Sequence, residues 1–323
     1  MRRKEVEIER FRTVENVNAL PDIFHTWSSK HVAPKLVDVF AVTGIYEVYA
    51  RYIIQYAKEN PGRTVEIFSI GAGNGDIEAQ IAILLKTAGL SDFRFHCLDI
   101  NPAMLARGRA AVAQHQLDSH FDFIETDISD WTTPLTDVVV LANHSLHHIQ
   151  QLEHTFSAVK RAIARRGYFV VCDMIGRNGH MRWPEALEVV HDVWRKMPDR
   201  YKYNHQLKRF EELYENWDCS SDAFEGIRAQ DILPLLVANF HFDAFIAYGN
   251  LPDIFIDRCF GHNFDPANPE DVAFIDRIGE LNETLIDNGT IKPTQMMAAM
   301  RAVSATPTRY YRHWTPEFCV RQP

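Results

Sequence analysis

Three glycines spaced two apart, Gly71, Gly73 and Gly75, stand in the stretch SIGAGNGD, with Ser69 before them and Asp76 after. Glycine has no Cβ, so a ligand can lie against the backbone there. Polar side chains then recur, each closing a short apolar run: Asp99, Asp127, Asn143 and Asp173. An acid at the end of the second run, Asp99, can accept hydrogen bonds from two vicinal ribose hydroxyls. Asp127, at the end of the third, can accept from an exocyclic adenine amine. The turn reads GxGxG rather than GxGxxG, and it lacks the Lys-Ser/Thr of a phosphate-binding loop. That pattern fits an adenosine ligand without phosphates better than NAD or ATP. The glycines alone are equally compatible with an NAD-binding fold or with a tight turn that binds nothing; the acids decide between these.

A second group is NHSLHHI, residues 143 to 149, with three histidines. His144 and His148 are four apart, a spacing that would put both on one helix face and allow metal ligation. No carboxylate completes a recognised motif, so no metal is expected. A histidine here either packs against or caps the next helix, or serves as a general base, since free imidazole titrates near working pH.

The elements that must position these groups are legible from the chain's rhythm. TVEIFSIG, FRFHCLDI, FDFIETDI, TDVVVLAN and YFVVCDMI are short β-rich runs. Between them, DIEAQIAILLKTAGL, NPAMLARGRAAVAQH and LEHTFSAVKRAIARR have helical spacing, with Asn101 and Pro102 marking one start. Alternating strands and helices predict an α/β fold: a doubly wound, mostly parallel sheet of about seven strands, with ligands beyond the strands' carboxyl ends. FDAFIAYGN and TQMMAAMR are the later strand candidates. Residues 22 to 58 and 183 to 217 look helical and aromatic-rich, whereas residues 1 to 15 are charged and are expected to fray. The domain reading is an N-terminal helical cap (1–60), a ligand-binding core (61–176), a helical insertion or lid (177–227) and the remainder of the core (228–323).

Composition narrows the function classes. The 323 residues include 43 acidic and 34 basic side chains, for a net charge of −9. Such a chain repels polyphosphate, and its most basic stretch, KRAIARR, reads as the end of a solvated helix; no nucleic acid is expected. Five widely spaced cysteines without a CxxC indicate neither a disulfide framework nor a zinc site. No apolar stretch reaches membrane-spanning length and the start has no signal-peptide pattern, so the expectation is a cytoplasmic protein without a membrane partner.

With VEIFSIGAGNGD, FHCLDINPAML, FIETDI, VVVLANHSLHHI and RRGYFVVCDM in this order, residues 62 to 176 resemble the class I S-adenosylmethionine-dependent methyltransferases with a Rossmann-like fold, of the small-molecule type. The resemblance implies S-adenosyl-L-methionine as cofactor. Gly71, Gly73 and Gly75 would border its methionine and ribose parts, and Asp99 would hold the ribose hydroxyls. Ile100 and Met104 would flank the adenine, Asp127 with Ile128 would meet its amine, and Asn143 would offer a carbonyl to the amino group. Ser69 departs from the pattern, since many members carry an acid there; Glu66 is three residues too early to replace it.

The resemblance further implies methyl transfer to a small-molecule acceptor, with an oxygen as the acceptor atom if a histidine base is used. In plant-type small-molecule O-methyltransferases the base follows strand four in an LHDW-like stretch. His147 occupies that place here, with His148 in reserve. N- or C-methylation needing no histidine, a non-catalytic cofactor-binding member and an NAD-binding Rossmann protein are the alternatives. An aminopropyltransferase on the same scaffold would carry paired acids where this chain has Asn143 and His144. Trp27, Tyr46, Tyr49 and Trp183 are the candidate lining of an aromatic acceptor pocket. A homodimer is left open.

Overall fold

The computed structural model describes residues 2–12, 19–304 and 306–322. Its main sheet is built on the expected strands: β1 (Val65–Ile70), β2 (Phe93–Asp99), β3 (Phe121–Glu125), β4 (Val139–Asn143) and β5 (Tyr168–Met174). All five run parallel, in the order β3-β2-β1-β4-β5, so the order reverses between β1 and β4. That reversal opens the crevice in which a ligand can reach the backbone. The β5 strand is buried along nearly its whole length, as a strand covered on both faces must be.

The helices α5 (Asp76–Thr87), α6 (Pro102–Gln114) and α7 (Leu152–Ile163) connect these strands. The start of α6 is fixed as its sequence suggests. Asn101 Oδ1 accepts from the amides of Ala103 and Met104, and Pro102 takes the first position, where an amide would have no partner.

The N-terminal cap comprises α1 (Arg2–Arg12), α2 (Asp22–His31), α3 (Ala33–Phe40) and α4 (Ile45–Glu59). The first of these corrects an expectation: residues 2–12 are not frayed but form a helix, and residues 13–15 lie outside the described residues. The helix is anchored across the crevice. Asn101 Nδ2 donates to Ile8 O at 3.0 Å, and Arg107 donates to Phe11 O and Arg12 O.

The stretch 183–217 is also shorter in helix than its sequence suggested. Only α8 (Pro184–Lys196) forms; Pro198 forces Met197 into an extended conformation and ends it. A small hairpin follows, β6 (Tyr203–Asn204) with β7 (Arg209–Phe210).

The remainder of the chain completes the sheet. In order come α9 (Ala229–Asn239), β8 (His241–Tyr248), α10 (Leu251–Ile256), α11 (Pro269–Asp287), β9 (Gln295–Arg301), β10 (Arg309–Tyr310) and α12 (Pro316–Cys319). The β9 strand inserts antiparallel between β5 and β8, and the two-residue β10 makes an eighth strand at the edge. Among the described residues, no helix is long and apolar enough to cross a membrane.

Candidate active site

The glycine turn leaves β1 at the crevice. Gly71, Gly73 and Gly75 have φ of 67°, 56° and 66°, a region that side-chain-bearing residues rarely adopt. Space is also short: a Cβ at Gly71 would lie 2.5 Å from Ser145 Cβ, and one at Gly73 2.9 Å from Met104 Cε. Asp99 ties the turn to β2. Its Oδ2 accepts from Gly73 N at 2.9 Å and its Oδ1 from Asn101 N at 2.8 Å. Burial nevertheless pushes its carboxyl above the usual range.

Ser69 has an acidic partner that sequence order hides. Its Oγ donates to Glu78 Oε1 at 2.5 Å, and both residues are buried. Glu78 stands in the first turn of α5, so that helix brings a carboxylate back to the place where Ser69 lacks one. Burial raises the Glu78 pKa to about 7, against a smaller opposing effect of the Ser69 hydroxyl. Its second oxygen, Oε2, is buried without a hydrogen-bond partner among the described residues. Glu66 is not the substitute: it pairs with His96 Nε2 at 2.7 Å.

Asp127 closes the far side of the crevice, but its carboxylate is engaged. Oδ2 accepts from Lys4 Nζ of α1 at 2.7 Å, and Oδ1 from Ser129 N at 3.0 Å. Burial opposes its charge, yet Lys4 and Ser129 outweigh burial and hold the carboxyl below its ordinary value. Ile128 beside it and Met104 on α6 are buried. Ile100 follows Asp99 at the same edge and is half-buried. Asn143 ends β4, where its Oδ1 accepts from Tyr49 Oη at 3.1 Å; Ala142 O accepts from the same hydroxyl at 3.0 Å.

The loop after β4 runs back over the glycine turn. Ser145 Oγ donates to Ile70 O at 2.6 Å. Asp173, fully buried at the end of β5, accepts from Ser145 N at 2.9 Å, Leu146 N at 2.8 Å and His147 Nδ1 at 2.6 Å. These contacts turn His147 Nε2 toward Glu225, whose Oε1 is 3.4 Å away. His147 is 4% exposed. Burial alone would lower its pKa, but Asp173 and Glu225 outweigh burial and raise it to about 10. As found, it is protonated at neutral pH. His180 Nε2 lies 2.7 Å from the same Glu225 oxygen, and His148 Nε2 lies 4.0 Å from the other. His148 Nδ1 approaches Glu7 Oε1 of α1 to 2.7 Å, off the angle of a hydrogen bond. His144 is turned away, with Nε2 3.7 Å from Cys172 Sγ; residues 146–148 form a single short turn, so His144 and His148 share no helix face.

The four aromatic residues expected to line one pocket separate. Tyr49 is buried at the β4 end, and Tyr46, 40% exposed, stands on the same helix with Asp76 and Glu78 near its hydroxyl. Trp27 is instead a core residue, packed on Phe24 and His31, and it lines a small void with Tyr248 and Trp314. Trp183 carries the guanidinium groups of Arg177 and Arg321 at 5.4 and 4.2 Å from its ring centre. Both sit where helical periodicity or cation–π stacking accounts for them. A cavity of about 520 Å³ lies between α4 and α5, lined by Glu47, Arg51 and Leu84, away from the histidines.

Sequence reasoning missed Glu78, His180, Glu225, Glu7 and Lys4. Of these, Glu78 alone carried a signal, as an acid in the helix that follows the glycine turn.

Residues 68–169 match the family described as a methyltransferase domain. No curated protein matches the chain in sequence. Solved structures similar to it include the citrinin polyketide synthase CMeT domain, at 15% identity and a TM-score of 0.45, over 80% of this chain and 52% of that one. The chain thus spans about half the length of that protein. The N-methyltransferase NodS from Bradyrhizobium japonicum is similar at 10% identity and a TM-score of 0.43, over 94% of this chain and 100% of that one. The geranyl diphosphate C-methyltransferase from Streptomyces coelicolor is similar at 11% identity and a TM-score of 0.47, over 94% and 99%.

Proposed function

We propose, from the methyltransferase-domain match over residues 68–169, that the protein is a class I S-adenosylmethionine-dependent methyltransferase that transfers the methyl group to an oxygen of a small-molecule acceptor. One observation carries this reading: the glycine turn and the histidine cluster share a wall. Ser145 packs on Gly71 and bonds Ile70 O, and His147 follows two residues later, oriented by Asp173. A donor seated on the turn therefore has the imidazole as a neighbour.

S-Adenosylmethionine supplies a methyl group activated on a sulfonium. The residues present fit it. Asp99 can accept from the ribose hydroxyls while it holds the turn, because each carboxylate oxygen accepts twice. Ile100 and Met104 would flank the adenine, and Asp127, with Ile128 beside it, would take the amine once Lys4 withdraws. Asn143 presents its backbone carbonyl. Glu78 replaces the acid missing at Ser69: its buried Oε2, without a partner among the described residues, would accept from a cationic ligand, whose charge would favour ionisation of the carboxyl that burial otherwise holds neutral. Tyr46, partly exposed on α4, would border the acceptor, while Tyr49 supports the end of β4 beneath it.

The acceptor O–H gives its proton to the cluster of His147, Asp173 and Glu225. Bound S-adenosylmethionine would supply the methyl group to that oxygen, its C–S bonding pair returning to sulfur, to give the methyl ether and S-adenosylhomocysteine. For His147 itself to take the proton, Glu225 must first leave Nε2 and the imidazolium must give up its Nε2 proton.

The test is calorimetry with S-adenosylmethionine and with NAD, followed by radiolabelled methyl transfer to a library of hydroxylated metabolites. The expected result is binding of S-adenosylmethionine alone. His147→Ala should then lose about 100-fold or more in turnover with cofactor affinity kept. Binding of NAD in its place would overturn the proposal, and unchanged turnover of His147→Ala would overturn the oxygen acceptor.

A further inference from the structure

Three side chains from three separate segments bring one donor atom each to within 4.8 Å of one another: His147, His180 and Glu225. His147 follows β4, His180 follows β5, and Glu225 precedes α9. The 3.4 Å between His147 Nε2 and Glu225 Oε1 is the separation of two atoms that share a tetrahedral neighbour about 2 Å from each, whereas His180 Nε2, hydrogen-bonded to the same oxygen at 2.7 Å, would move apart by about half an ångström to admit an ion. His148 presents a third Nε2 4.0 Å from Glu225 Oε2.

The outer contacts also fit metal ligation. A metal-bound imidazole usually gives its other nitrogen to a carboxylate, which fixes the tautomer and the ring direction. His147 does this with Asp173 at 2.6 Å. Charge balance points the same way. Glu225, Asp173 and Glu7 place three carboxylates around these rings; Asp173 is fully buried and Glu7 nearly so. A divalent cation held among these side chains would be compensated by those carboxylates.

We propose that His147, His180 and Glu225 bind one divalent transition-metal cation of the zinc, iron or cobalt class at the acceptor end of the crevice. Two imidazoles and one carboxylate select such ions over magnesium or calcium, which take oxygen ligands. The proposal departs from the expectation, drawn from motifs alone, that no metal is held. It deepens the proposed function and rests on it only for what the ion does. With the ion bound, an acceptor hydroxyl at an open coordination position would become acidic and give its proton to solvent in place of the cluster, so that Glu225 would stay in place and His147 would serve as ligand.

The experiment uses the full chain stripped of metal by chelation, then titrated with Zn²⁺, with Co²⁺ and with Mg²⁺. Calorimetry should give one equivalent of Zn²⁺ bound with a sub-micromolar Kd, and no Mg²⁺ binding. The Co²⁺ complex should show a visible spectrum of nitrogen and oxygen ligation. Glu225→Ala and His180→Ala should each weaken Zn²⁺ at least 10-fold; His180 is partly exposed and its removal should leave the fold, read as unchanged S-adenosylmethionine affinity. Absence of stoichiometric binding, indifference of binding to both variants, or a thiolate charge-transfer band from the cysteines would overturn the site. Methyl transfer by a metal-free protein would do so too, while leaving the proposed function standing.

Discussion

Ser69 Oγ donates to Glu78 Oε1 at 2.5 Å, across nine residues of chain that fold into the glycine turn and the start of α5. The serine replaces an acid in the strand, and the helix restores an acid from the other side. Glu78 also sits where the amide dipoles of α5 favour a negative charge, although burial favours the neutral form.

This pair predicts a pH dependence with a definite sign. The Glu78 pKa is raised in the folded state to about 7, from an ordinary value of 4.5. The folded protein therefore binds more protons than the unfolded chain between these values, and stability falls as pH rises through that window. The loss from this one group is about 3 kcal/mol. Glu78→Gln should remove it, so the stability difference, variant minus parent, should grow by that amount between pH 4 and pH 8. Urea unfolding at the two pH values measures this; a pH-independent difference would show that Glu78 is not held neutral.

Gly71→Ala should be far more damaging than Gly62→Ala, although both glycines have positive φ. At Gly62 no atom lies within 4 Å of an added Cβ, whereas at Gly71 Ser145 Cβ is 2.5 Å away. The strain of a left-handed alanine, about 1–2 kcal/mol, is common to both. The clash is particular to Gly71 and displaces the loop that carries His147. Calorimetry should show S-adenosylmethionine affinity reduced at least 10-fold in Gly71→Ala and kept in Gly62→Ala. Equal affinities would remove the turn from the ligand site.

The strands, their polar ends and the glycine turn were legible because each is written in contiguous residues: an apolar run, then Asp99, Asp127, Asn143 or Asp173. The cluster around Glu225 was not. Glu225 and His180 meet across 45 residues, in segments with neither hydrophobic period nor motif. The same limit explains the aromatic residues. Helical spacing places Trp27 and Tyr49 each on an apolar face, but only the packing of α2 and α4 decides which face meets the strand ends. Lys4 and Glu7 were hidden because a charged N-terminal stretch, read alone, has no reason to order; it orders by lying on Asp127 and His148.

Lys4 occupies the carboxylate that an adenine amine would need, so the two compete. Lys4→Ala should tighten S-adenosylmethionine binding by up to about 5-fold, the size expected from a half-exposed ion pair of up to 1 kcal/mol. High salt should narrow the gap between variant and parent, because it screens the Lys4–Asp127 pair that only the parent has. Calorimetry at low and high ionic strength checks both points. Weaker binding in Lys4→Ala would mean instead that α1 helps to hold the ligand through this lysine.

Asp173→Asn separates positioning from proton chemistry. Every group facing the Asp173 carboxylate is a donor: the amides of Ser145, Leu146 and Met174, and His147 Nδ1. An asparagine can accept with one atom only, so its amide must point at donors and leave them unpaired in a buried site. The expected loss is about 3 kcal/mol or more of folding stability. Because Ser145 also packs on Gly71, S-adenosylmethionine affinity should fall as well, unlike in His147→Ala, which leaves the Ser145 contacts in place. Denaturant midpoints and calorimetry on the two variants make the comparison. If Asp173→Asn kept full cofactor affinity, the wall shared by the glycine turn and the histidines would not couple them.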